Sequence, residues 1–145
     1  MSEEEGQHLF DIANTVCSRH VEYRAIENGD YFDIDVAWYT RDGVRFRNLN
    51  WLERTFAYGS KVSQDTENKK TLMSISALKS RPIEISKNEN GDILPIAVIG
   101  GKLSILKRIW VEVSQGHLYI PTVHYVDVFG VDYETGEEVI ERIYN

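Results

Sequence analysis

The chain has 145 residues, of which 42% are hydrophobic and 27% charged, with a formal net charge of −7. That length supports one domain with a real core and is short for two. An acidic chain without clustered Lys and Arg argues against a nucleic-acid partner, and no apolar run approaches the roughly 20 residues of a membrane-spanning helix.

Residues 1–5, Met-Ser-Glu-Glu-Glu, are acidic where a signal peptide would be basic and then apolar, so a cytoplasmic location is expected. Residues 4–26 read as one amphipathic helix, because Leu9, Ile12 or Ala13, Val16, His20 and Tyr23 recur at steps of three and four. The single cysteine, Cys17, reads as a small apolar residue of that helix; it has no partner for an internal disulfide or a Cys-based zinc site. Asn28-Gly29 then breaks the helix. Across 31–39 the period changes to two, with Ile34, Val36 and Trp38 against Asp33, Asp35 and Tyr39, and Thr40-Arg41-Asp42-Gly43 turns the chain into 44–47.

Asn50 and Glu53 form a capping-box pair opening a short helix over 50–58, whose Trp51, Phe56 and Tyr58 make it unusually aromatic. Residues 60–70 are polar and aperiodic, which predicts a surface loop able to act as a flap. Strands are predicted over 72–78, 82–86, 93–99 and 103–113, separated by the turn at 88–92 and the break at Gly100-Gly101. The last hairpin is the most telling. Val123, Tyr125, Asp127, Phe129 and Val131 alternate with His124, Val126 and Val128, a turn follows at 133–136, and 139–144 returns. Asp127 shares a face with Tyr125 and Phe129, an apolar surround that would raise its pKa; the alternative is an ion pair to Arg108 or Arg142. His124 points to the other face unless a bulge intervenes. No H-E-x-x-H, Cys/His cluster, G-x-S-x-G or phosphate-binding glycine motif is present, so neither a metal nor a cofactor is expected.

The order of these elements, with Asp35-Val36-Ala37-Trp38 after 25–30 and with 126–131 running on to Tyr144, resembles the nuclear-transport-factor-like superfamily, which includes ketosteroid isomerase and the SnoaL-like polyketide cyclases. The resemblance implies a single α+β domain over 1–145. In it the N-terminal helix and a short second helix would pack in a strongly curved antiparallel sheet, a cone-shaped α+β barrel around an apolar pocket. It further implies a cofactor-independent isomerase, cyclase or lyase of the dehydratase kind, acting on a small apolar carbonyl compound, a polyketide- or terpenoid-like intermediate of secondary metabolism. Burial would raise the pKa of one pocket carboxylate so that it could move a proton. Asp127 is the first candidate for that base, with His124, Asp35 and His20 as alternates or partners. Tyr23, Trp38, Tyr39, Trp51, Phe56, Trp110, Tyr125 and Phe129 are the candidate pocket walls. The competing expectation is a non-catalytic binding or dimerisation module, a homodimer through a sheet face carrying Trp110, Tyr119 and Tyr125, or an acidic partner-binding inhibitor.

Overall fold

A computed structural model of the chain describes residues 6–15, 19–50, 58–68, 70–115 and 121–144. Eleven strands run through them: β1 (Gln7–Asn14), β2 (His20–Asn28), β3 (Tyr31–Tyr39), β4 (Arg45–Asn48), β5 (Ser60–Asp65), β6 (Lys70–Ile75), β7 (Leu78–Lys87), β8 (Ile93–Ile99), β9 (Lys102–Gln115), β10 (Pro121–Asp132) and β11 (Glu138–Tyr144). Among the described residues there is no helix. The α+β cone implied by the resemblance is therefore corrected to an all-β fold. The short helix expected over 50–58 falls on 51–57, outside the described residues, as do Trp51 and Phe56.

The stretch expected to be the N-terminal helix is two strands of one sheet, and the reason lies in its side-chain order. β2 alternates strictly, with Val21, Tyr23 and Ala25 buried and His20, Glu22 and Arg24 between them on the opposite face. β1 would alternate as well, but its pairing with β2 slips between His8 and Phe10, leaving Leu9 as an extra residue. Leu9 and Phe10 are consequently both buried, and with Ile12 they imitate a helical step of three. Asn28-Gly29 does break the chain, at a hairpin: Asn28 pairs with Tyr31, and Gly29 takes a φ of 65° in the two-residue turn. The loop expected over 60–70 is also corrected, since Ser60–Asp65 pairs along its whole length with β6 and the turn is confined to its end.

β9 is the fold's spine. One of its edges pairs with β10 from Ser104 to Gln115. Its other edge is shared, with Lys102–Ile105 pairing antiparallel to β8 and Arg108–Val111 pairing parallel to β1. Two wings leave the spine in this way, β1-β2-β3-β4 and β8-β7-β6-β5. They meet again at their far ends, where the Phe32 backbone N–H donates to Thr71 Oγ1 and Gln64 Nε2 donates to the Phe32 carbonyl. Between the wings lies one apolar core. Phe10, Ile12, Val21 and Tyr23 from the first wing, Met73, Ile75, Ile83 and Ile85 from the second, and Leu106, Ile109 and Val111 from the spine are each no more than 2% exposed. The space that the cone-shaped fold would leave as a pocket is filled with these side chains.

Candidate functional site

With one face of each strand committed to the core, chemistry on the first wing belongs to the outer face. On β2 that face carries His20, Glu22 and Arg24 in sequence. Glu22 is only 6% exposed, uncommon burial for a carboxylate, and both its oxygens are engaged. Oε2 lies 2.8 Å from His20 Nε2, and Oε1 accepts a short hydrogen bond from Arg24 Nη2. Tyr39, opposite His20 on β3, stacks on that imidazole with ring centres 6.3 Å apart, and the Arg24 guanidinium lies 5.1 Å over the same tyrosine ring. Burial works against the Arg24 charge, but the hydrogen bond and charge of Glu22 outweigh it and the pKa is raised. Arg24 Nε is buried with no hydrogen-bond partner among the described residues, a cost of about 1–3 kcal/mol for a stranded donor.

The Leu9 bulge completes the cluster. Residues three apart on a regular strand point to opposite faces, but the extra residue turns His8 and Asp11 to the same side, where His8 Nε2 and Asp11 Oδ1 lie 2.6 Å apart. The hydrogen bond that His8 donates to Asp11 raises the His8 pKa, with further help from the charges of Asp11 and Glu22. Asp11 sits directly across from Glu22 in the antiparallel register and directly across from Arg108 in the parallel one. Two carboxylates facing each other across a ladder are destabilising unless something positive lies between or beside them. His8, Asp11 and Glu22 each offer a ligand atom, and these atoms lie within 4.8 Å of one another. The group runs from open to closed: the His8 side chain is 43% exposed, Asp11 34% and Glu22 8%.

Of the residues singled out from the sequence, His20 and Tyr39 belong to this cluster. Asp35, paired with Arg24 in the backbone register, is held by Arg45 Nη1 at 2.7 Å. Tyr23 and Trp38 lie in the core. Tyr23 stacks on Phe10 and donates a 2.5 Å hydrogen bond to the Tyr58 carbonyl, while Trp38 meets the Tyr58 ring edge-on. A second group forms on the outer face of β9, β10 and β11. Asp127 there faces Arg142 in register and takes two hydrogen bonds from it, Nε to Oδ1 at 2.7 Å and Nη2 to Oδ2 at 2.9 Å. The Arg142 hydrogen bond lowers the Asp127 pKa, the opposite of the rise expected from an apolar surround. Arg142 also covers the Tyr125 ring at 4.1 Å, and Arg108 covers Phe129 at 4.5 Å. The Trp110 indole donates to Glu112 at 3.4 Å. A bulge between Val123 and Tyr125 does intervene, turning His124 outward to meet Ser114 Oγ at 2.9 Å.

His8, Asp11, Glu22 and Arg24 are absent from the candidates drawn from the sequence. The alternation of His20, Glu22 and Arg24 with Val21, Tyr23 and Ala25 was the available signal for two of them. His8 and Asp11 carried no such signal, because their common direction depends on the bulge. Elsewhere, the cleft of about 350 Å³ lined by Gly6, Gln7, Ala25, Ile26, Glu27, Lys87, Gly91 and Ile93 gathers a single Lys87–Glu27 ion pair.

Fold and site together define an all-β domain, one sheet folded over an apolar core, with an ionisable cluster on the outer face of its first wing. The family described as "Domain of unknown function (DUF4833)" matches over residues 13–142, and the chain belongs to that family. Neither the curated proteins nor the solved structures gave a match. Among the described residues no helix is long and apolar enough to cross a membrane.

Proposed function

We propose that the chain is a binding domain, and that its ligand is held on the outer face of β1 and β2 over His8, Asp11, His20 and Glu22. The observation that supports this reading is Glu22 itself. A carboxylate kept 6% exposed, on the face of the sheet away from the core and opposite a second carboxylate, is a costly arrangement for a purely structural surface. The acid–base chemistry expected from the sequence needed a hollow and a carboxylate of raised pKa. Here the interior is occupied by packed side chains, and Asp127 is paired with Arg142.

The test is an amide-resolved NMR titration of the labelled protein with a panel of sugars, dicarboxylates, amino acids, nucleotides and divalent cations. At least one of them is expected to shift the backbone amides of 10–14 and 20–24 while leaving β6 and β7 unmoved. Shifts confined to the second wing, or none on β1 and β2 across the panel, would remove the reading.

A second reading is self-association through the outer face of β10 and β11; the dimer expected from the sequence used a face carrying Trp110, Tyr119 and Tyr125, of which Tyr119 lies outside the described residues. The observation favouring it is that Ile140 and Tyr144, on a strand at the end of the sheet, are 62% and 70% exposed. Light scattering over a concentration series decides it: a dimer that Tyr144→Lys converts to monomer supports it, and a wild-type monomer at all concentrations removes it.

A further inference from the structure

Taking the outer face of β1 and β2 as the binding face, as above, we propose that His8, Asp11 and Glu22 together bind one divalent transition-metal ion of the zinc type. The donor set is one imidazole and two carboxylates, which suits a borderline cation such as Zn²⁺ better than the all-oxygen sets that calcium and magnesium prefer. Their ligand atoms already lie within 4.8 Å of one another. Zinc–ligand bonds of about 2.0–2.2 Å place neighbouring donors roughly 3.3 Å apart, so small side-chain adjustments close the site. The His8–Asp11 contact of 2.6 Å must open slightly, which an imidazole 43% exposed can do.

Three features of the chain fit this use better than a plain ion-pair network. The first is the Leu9 bulge, which brings a histidine and an aspartate three residues apart to one face. The second is the placement of Asp11 and Glu22 opposite each other, so that two carboxylates from adjacent strands face one point. The third is the support behind Glu22. His20 and Arg24 each use one lone pair of its carboxylate, fixing its plane and leaving lone pairs free on both oxygens. Ligands oriented in this way by outer hydrogen bonds are characteristic of metal centres. The open side over His8 and Asp11 leaves an entry path and a position for water.

The experiment uses the full chain, freed of metal with a chelator and titrated with ZnCl₂ by calorimetry, with MgCl₂ and CaCl₂ as comparisons and CoCl₂ followed by its visible spectrum. One equivalent of Zn²⁺ is expected to bind in preference to Mg²⁺ and Ca²⁺. His8→Ala, at an exposed position, and Asp11→Asn, at a half-buried one, should each weaken binding at least tenfold without lowering the melting temperature of the metal-free protein. His124→Ala, on β10, should leave binding unchanged. Co²⁺ should give a spectrum that His8→Ala loses.

Absence of Zn²⁺ binding, or binding that survives both His8→Ala and Asp11→Asn, overturns the metal site and leaves a plain ion-pair network of His8 with Asp11 and Arg24 with Glu22. If Zn²⁺ fails but another panel compound shifts the amides of 20–24, only the metal assignment falls. If nothing moves them, the binding face falls with it.

Discussion

The two outer-face groups are built from the same residue types and reach opposite ends. On β10 and β11 the backbone register sets Asp127 across from Arg142, so one carboxylate meets one guanidinium in two aligned hydrogen bonds. On β1 and β2 the register sets Asp11 across from Glu22, and the compensating cations come from neighbours along the strands. The first group is complete as it stands. In the second, two like charges share a rung and an Arg24 nitrogen is left without a partner among the described residues. An unresolved arrangement of that kind, retained within an otherwise well-packed sheet, is where a ligand has something to contribute.

The contrast can be broken most forcefully at Glu22. Replacing it with Ala strands Arg24 and His20 over a buried position, and unfolding in urea should show a loss of about 3–5 kcal/mol. Asp127→Ala, at the better solvated pair, should fall within the small range of surface ion pairs. Next in size is Gly130→Ala. A Cβ there would collide with the Ile105 carbonyl oxygen on β9, and about 1–3 kcal/mol should be lost in the same assay, placing the stability of the β10 side in close backbone approach.

Asp11→Asn should be smaller and different in sign. It removes one of two facing carboxylates, so the metal-free protein should be unchanged or more stable by about 0.2–1 kcal/mol, even as zinc affinity drops. The smallest effect is a pH dependence. Arg142 lowers the Asp127 pKa, so the pair stabilises the fold at pH above the ordinary carboxylate value of about 3.9. That stabilisation is lost as pH falls through the lower, folded value. Asp127→Asn should therefore lower the melting temperature slightly at pH 7 and converge with the wild type in acid, flattening part of the acid limb of the profile.

What the sequence disclosed follows the regularity of each strand. β3 and β8 are legible to the residue and β9 to β11 nearly so, because Ile34-x-Val36-x-Trp38 and Val126-x-Val128 keep an unbroken period of two. β1 was hidden by a single inserted residue: the Leu9-Phe10 pair followed by Ile12 carries the spacing of a helix face. With β1 so disguised, β2 continues the apparent helix, despite the clean alternation of Val21, Tyr23 and Ala25. The site was lost with it, since the convergence of His8, Asp11 and Glu22 is a property of the bulge and of cross-strand register. Arg142 was legible as a partner for Asp127, because both residues stood in strands that were read correctly.

The shared edge of β9 has a consequence for motion. Its backbone amides at Ser104, Ile105 and from Arg108 to Val111 lie between β10 on one side and β8 or β1 on the other, so their exchange with deuterium should require opening of the whole molecule. β4, β5 and β11, at the margins of the sheet, should exchange through local fraying. The strand carrying His8 and Asp11 is thus bolted along Asp11 to Asn14 to the slowest-exchanging segment of the protein, and whatever settles on that face meets a surface held still before it arrives.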